Sequence, residues 1–101
     1  MKTYKVTIND QGNIRWYNEQ DQLHREDGPA IEFANGSKFW YLNGQHHRED
    51  GPAIEYANGD KFWYLNGVRY IEQEFLEKTQ GVELTVAEIE KIVGKKVKIV
   101  K

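Results

Sequence analysis

Cysteine is absent from the 101 residues, which excludes a disulfide framework, a thiolate zinc site and a cysteine nucleophile, and fits a reducing compartment. Proline is nearly absent too; its two copies both follow glycine in one repeated loop. No apolar run approaches the roughly 20 residues of a membrane span, and the opening Met1-Lys2-Thr3-Tyr4 is not followed by a signal-peptide core. The expectation is a soluble intracellular protein with no membrane contact. An excess of one charge is also missing, since 14 Lys+Arg against 16 Asp+Glu leave a formal net charge of -2 at pH 7. Binders of nucleic-acid phosphates cluster Lys and Arg, so nucleic acid is not the expected partner. The few hydroxyls, Thr3, Thr7, Ser37, Thr79 and Thr85, compose no triad, and the glycines occur singly rather than in a phosphate-cradling loop. Enzyme activity and a bound cofactor are therefore not expected.

What the chain has in plenty is aromatics, 13 of them, which must supply much of a small single core. They recur with a period. Residues 23–45 laid over 46–68 give two 23-residue units that differ only at Leu23/His46, Phe33/Tyr56, Ser37/Asp60 and Gln45/Val68. A short fixed period marks a supersecondary unit that buries its apolar face only by stacking on a neighbour. A decayed copy precedes them, with Gly12, Trp16 and Tyr17 lying 24 residues before Gly36, Trp40 and Tyr41.

Within each unit, two runs rich in Ile, Phe, Trp and Tyr flank Asn-Gly, the dipeptide of two-residue type I′ hairpins. Asn35-Gly36, Asn43-Gly44, Asn58-Gly59 and Asn66-Gly67 thus predict an antiparallel meander, with Asp27-Gly28-Pro29 and Asp50-Gly51-Pro52 closing the remaining loops. A further hairpin is expected over 4–17. Two-residue loops would pair Ile31 with Trp40 and Glu32 with Phe39, setting Ile31, Phe33, Trp40, Leu42 and His47 on a buried face. Glu32, Phe39, Tyr41, His46 and Arg48 would occupy the other face, with Glu55, Phe62 and Tyr64 repeating them.

After Tyr70 the apolar spacing of Ile71, Phe75 and Leu76 turns helical, and Gly81 ends that segment. Thr85 with Glu88 forms a capping box, Leu84 with Ile89 a hydrophobic staple, and Val86, Ile89, Ile92 and Val93 a second amphipathic helix. Val97 and Ile99 alternate with lysines as an edge strand; Lys91, Lys95, Lys96, Lys98 and Lys101 make a local basic patch that suits edge protection better than phosphate binding. The expected fold class is α+β, an antiparallel β-meander of 23-residue repeats followed by two short C-terminal helices and a terminal edge strand. It forms a single domain over 1–101, divided into a decayed N-terminal hairpin unit (1–22), two tandem β repeats (23–70) and a helical cap with its edge strand (71–101).

The units HREDGPAIEFANGSKFWYLNG and HREDGPAIEYANGDKFWYLNG, with the ending LTVAEIEKIVGKKVKIVK, resemble the HREDGPA-repeat small proteins of tailed bacteriophages. The 23-residue hairpin unit with paired aromatics is more distantly similar to MORN repeats, which build single-layer β-meanders used as binding platforms; His-Arg-Glu-Asp-Gly-Pro stands here in place of their HG-x-G step. The resemblance implies expression in the cytoplasm of an infected bacterial host. It also implies an anti-defence or host-inhibiting role exercised by direct binding.

The block His47-Arg48-Glu49-Asp50, echoed at His24-Arg25-Glu26-Asp27, holds the residue types of an acid/base or metal site, but its duplication favours structure: Asp capping the turn, Arg pairing with a neighbouring repeat's acid, His stacking on Trp. His46 and His47 point to opposite faces of a strand and so cannot share a metal ion. Aromatics on both faces exceed what one small core requires, and Tyr, Phe and Arg suit the centre of a protein interface. The expected partner-binding residues are Glu32, Phe39, Tyr41, Arg48, Glu55, Phe62 and Tyr64, facing a bacterial protein or a second copy of the chain. Trp40, Trp63, Ile31, Ile54 and His47 are assigned to folding. Two alternatives are an oligomer that sequesters a small nucleotide signal between its aromatics and Arg48, and a structural virion component.

Overall fold

Among the described residues, short β-prone runs punctuated by Asn-Gly become nine short strands, followed by a helix. The computed structural model describes residues 3–81 and 85–87. The strands are β1 (Lys5–Ile8), β2 (Ile14–Tyr17), β3 (Ile31–Glu32), β4 (Lys38–Phe39), β5 (Tyr41–Leu42), β6 (Gln45–His46), β7 (Ile54–Glu55), β8 (Lys61–Leu65) and β9 (Val68–Tyr70), and the helix is α1 (Glu72–Thr79). All pairings are antiparallel, in the order β1-β2-β3-β4-β7-β8-β9, with β5 and β6 as a separate two-stranded ribbon. Over the described residues this is a meander followed by a helix, broadly α+β. The expected N-terminal hairpin forms, pairing Val6 with Trp16 and Ile8 with Ile14.

Successive units are stitched at the tryptophan. Trp40 donates its backbone N–H to the Ala53 carbonyl of the next unit (2.7 Å), while its carbonyl accepts from His47 within its own ribbon (3.2 Å). Trp16 repeats the exchange with Ala30 (2.8 Å) and His24 (3.0 Å). The strand through residues 38–42 thereby changes partner at Trp40, β4 pairing with β7 and β5 with β6. Ala30 and Ala53 sit at 0% exposure where the backbones meet, flanked by the buried Ile31 and Ile54, and these four with Phe75 are the only buried apolar residues among those described.

Two of the four Asn-Gly turns are not of the expected type. Asn43 (φ 50°) with Gly44 (φ 81°) and Asn66 (φ 50°) with Gly67 (φ 81°) have the paired positive φ angles of a type I′ turn. At Asn35-Gly36 and Asn58-Gly59 only the glycine is positive, at φ 97°. There Gly36 N–H bonds the Phe33 carbonyl (2.9 Å) and Phe33 N–H bonds the Ser37 carbonyl (2.9 Å), closing a three-residue loop with glycine in the bulge position. Asn35 Oδ1 accepts from Ser37 N–H (2.9 Å), a side-chain turn that holds Asn35 out of the left-handed region.

The extra loop residue shifts the register by one: Ile31 pairs with Phe39 and Glu32 with Lys38, and likewise Ile54 with Phe62 and Glu55 with Lys61. Because the side-chain period of a strand is two, this slip changes the expected faces. Ile31, Phe33, Ile54 and Tyr56 join Phe39, Tyr41, Phe62 and Tyr64, while Glu32 and Glu55 move to the side of Trp40 and Trp63. Trp40 and Tyr41, and Trp63 and Tyr64, remain on opposite faces.

Helix α1 starts one residue later than expected, after Ile71, which makes no side-chain capping bond. Eight residues are too few for an isolated helix, and burial of Phe75 at 1% exposure is what ties it down. Lys78 lies 5.4 Å from the centre of the Tyr70 ring, which is the strand partner of Trp63, so α1 closes the C-terminal end of the tryptophan face. The second helix expected from Thr85 lies outside the described residues apart from 85–87, as do the lysine-rich edge strand and its basic patch.

Candidate binding surface

The described part of the molecule is a slab 59 × 35 × 18 Å. Its two faces differ in chemistry.

On the tryptophan face the HREDGP block is a bracket. Arg48 lies 3.9 Å over the Trp40 ring, donates from Nε to Asp50 Oδ1 (2.7 Å) and from Nη1 to the Pro52 carbonyl (3.1 Å), and approaches Glu55 at 3.6 Å. Arg25 repeats this on Trp16 (4.1 Å), Asp27 (2.8 Å), the Pro29 carbonyl (3.3 Å) and Glu32 (3.9 Å). A Cβ on Gly51 or Gly28 would stand 2.9 Å from the guanidinium carbon, so the motif's glycine makes room for the arginine. The arginine bonds hold the Asp27 and Asp50 carboxyls below the usual range. Arginine rather than histidine stacks on tryptophan, which corrects the sequence expectation, and its carboxylate partners lie in its own unit. Each histidine instead fixes the next type I′ turn: His24 Nδ1 accepts from Asn43 N–H and His47 Nδ1 from Asn66 N–H, both at 2.9 Å.

Between the two brackets lies a groove of about 600 Å³ lined by Trp40, Leu42, His47 and both Arg-Glu-Asp triplets. Its guanidiniums are already occupied by internal acceptors and rings. Each guanidinium spends Nε and Nη1 on these acceptors and one face on a ring. Among the described residues no group of three or more His, Asp or Glu is placed to hold a metal ion.

On the other face, side chains from both units form a ladder of rings. Phe39 meets Phe33 (4.9 Å between centroids), Tyr56 (5.6 Å) and His46 (5.8 Å), all edge-on, and Tyr56 passes the contact to Phe62 (5.9 Å). His46 is held between Tyr41 (4.1 Å) and Tyr64 (5.0 Å). Arg69 ends the ladder, 4.6 Å over the Phe62 ring. Burial lowers the His46 pKa, an effect that the Trp40 backbone partly offsets, and burial raises that of Tyr41, with Tyr56 and Tyr64 adding to the latter. The imidazole and the phenol are therefore both uncharged at neutral pH. Tyr56 is 42% exposed and the other rings are half-buried.

The chain was compared with known proteins. It matches no family model, no curated protein and no solved structure.

Of the seven residues expected at the binding surface, Phe39, Tyr41, Phe62 and Tyr64 come together in the ladder. Glu32, Arg48 and Glu55 do not; they lie on the opposite face in bracket ion pairs, displaced from the expected set by the one-residue slip and by the stacking of Arg48 on Trp40. Phe33, Tyr56, His46 and Arg69 were missing from it. A three-residue loop assigned at Asn35-Gly36 would have placed Phe33 and Tyr56 correctly, whereas nothing local in the sequence distinguishes that loop from the type I′ turn at Asn43-Gly44.

Proposed function

We propose that the chain is a non-enzymatic binding module that presents its aromatic ladder to a bacterial protein and inhibits that protein by occupying it. The observation that supports this reading is the half-exposed run of seven rings on one side of a thin sheet, continuous across both repeats. Contiguous aromatic surface of this kind is uncommon on a protein that binds nothing. Tyrosine and phenylalanine bury large area at low rotamer cost, which makes them frequent centres of interfaces. The HREDGPA-repeat resemblance supports a phage protein acting inside the host, in keeping with an anti-defence role.

The test is capture from bacterial lysate on immobilised protein. A specific partner is expected to be lost with Tyr56→Ala or Tyr64→Ala, each weakening binding by about 2 kcal/mol, or roughly thirtyfold, as for a central hot spot. It should be retained by Glu49→Gln, whose side chain is 78% exposed on the opposite face. Full capture by both tyrosine variants, with loss in Glu49→Gln, would put the binding surface on the wrong side.

A further inference from the structure

Charge is segregated between the two faces. On the tryptophan face the strand row reads Glu32, Lys38, Glu55, Lys61, each carboxylate opposite an ammonium, and the loop acids Asp27 and Asp50 are held by Arg25 and Arg48. That face is internally compensated. On the ladder face the strand register places Lys5 opposite Tyr17, Arg15 opposite Ile31, and Arg69 opposite Tyr64. Within the described strands no residue on that face is acidic, since Glu32 and Glu55 are the only carboxylates those strands contain and both point the other way. Asp60, just before β8, stands opposite Tyr56 and so adds one carboxylate to that face at the hairpin end, where it accepts from the neutral Asn58 amide.

Lys5 and Arg69 contact only rings, at 5.7 Å and 4.6 Å, and among the described residues none of the three cations forms an ion pair with a carboxylate. A chain whose formal net charge is -2 therefore carries a face that is apolar at its centre and whose rim sets three unpaired cations against the single carboxylate of Asp60. Resting on the binding-module reading above, we infer that the ladder face recognises an acidic protein surface, one whose apolar centre meets Phe39, Tyr56 and Phe62 and whose Asp or Glu side chains meet Arg15 and Arg69. Charge complementarity of this kind sets the choice of partner and speeds association. A single-stranded nucleic acid is disfavoured by two features. Three cations are too few to track a phosphate backbone, and the rings already meet one another edge-on, which limits the open faces that bases stack on.

The test is an NMR titration of the isotopically labelled full chain with three probes: a peptide of Leu-Trp-Leu flanked by two Glu on each side, the same centre flanked by Lys, and oligo(dT). The Glu-flanked peptide is expected to shift the amides of Phe39, Tyr56, Phe62 and Arg69 and to bind more tightly than the Lys-flanked one. The pair Arg15→Glu with Arg69→Glu is expected to cost about fivefold in affinity for the Glu-flanked peptide and to reverse the preference. Equal binding of both peptides on this face would overturn the acidic-partner inference while leaving the binding module intact. Tighter binding of oligo(dT) on the same amides would overturn it in favour of nucleic acid. Absence of any shift on this face at millimolar peptide would also overturn it, and the lysate capture above then decides the module reading separately.

Discussion

The arginine bracket makes a prediction whose size can be worked out from its contacts. Arg48→Ala removes a guanidinium stacked 3.9 Å over Trp40, worth about 1 kcal/mol. It also removes a hydrogen bond to the part-buried Pro52 carbonyl, worth about 1 kcal/mol. The pair with Asp50, itself 85% exposed, adds no more than about 0.5 kcal/mol after solvent screening. A loss of about 2 kcal/mol corresponds to a fall of about 10–15 °C in the thermal midpoint of a domain this size. Gly51→Ala should reach much of the same loss by another route. Its new Cβ would stand 2.9 Å from Arg48 Cζ, and because that carbon is the free end of a flexible side chain, the guanidinium swings off Trp40 rather than the backbone opening. Gly51 does not need a positive φ, so in the absence of the arginine an alanine there restricts the unfolded chain and stabilises by about 0.5 kcal/mol. The single Gly51→Ala is therefore expected to destabilise by about 1–1.5 kcal/mol net of that gain. In the Arg48→Ala background it should turn slightly stabilising, a coupling of about 2 kcal/mol in a double-mutant cycle read by urea denaturation. Equal cost of Gly51→Ala in both backgrounds would show that the glycine serves something other than the arginine.

The histidine of each unit should behave as a turn acceptor: His24→Ala leaves the Asn43 amide without its partner, costs about 1–2 kcal/mol, and speeds hydrogen exchange at that amide by NMR. His46 makes stability depend on pH through its lowered folded pKa, which favours the neutral ring. Its contribution is fully present above the unfolded value of 6.5 and lost as pH falls below it, so the slope of the denaturation midpoint against pH should flatten there in His46→Phe. Asp27 and Asp50, also lowered, contribute above the unfolded value of 3.8 and lose that contribution as pH falls below it. Asp50→Asn should then reduce the acid sensitivity of unfolding measured by circular dichroism.

Most of the architecture was legible because duplication and glycine turns are local signals. Asn43-Gly44 and Asn66-Gly67 have the expected conformation, and the pairing of Tyr41 with His46 follows from it. The slip at Asn35-Gly36 was not legible for a reason outside that hairpin. The N–H of Ala57, in the equivalent loop, is satisfied by the Ser37 hydroxyl of the preceding unit (2.9 Å), and Ala34 N–H by Asn13 Oδ1 (2.9 Å). A tight two-residue turn has no such amide to offer, so the loop type is tied to its neighbour across the sheet, a contact that a hairpin signal read within one unit does not contain. The structural purpose of HREDGP was legible in outline, while its partners were not. Arginine reaches back to a tryptophan eight or nine residues earlier, from the strand that its loop crosses to leave.

The two faces therefore differ in what a substitution can change without unfolding the chain. The tryptophan, arginine, aspartate and histidine of the bracket are all engaged: arginine holds one unit to the next over the preceding tryptophan and bonds the aspartate and proline carbonyl of its own loop, and histidine fixes the following turn. The ladder is under weaker constraint. Phe33 and Tyr56 occupy equivalent positions and both meet Phe39 edge-on, although one carries a hydroxyl and the other does not. Of the four differences between the units, that exchange lies in the ladder, and Leu23/His46 supplies the imidazole that only the second unit inserts between tyrosines. The bracket sequence HREDGPAIE is the same in both units. Two of the four differences thus fall among the half-exposed rings and none within the arginine bracket, which separates a surface that tolerates exchange from a frame that holds it flat.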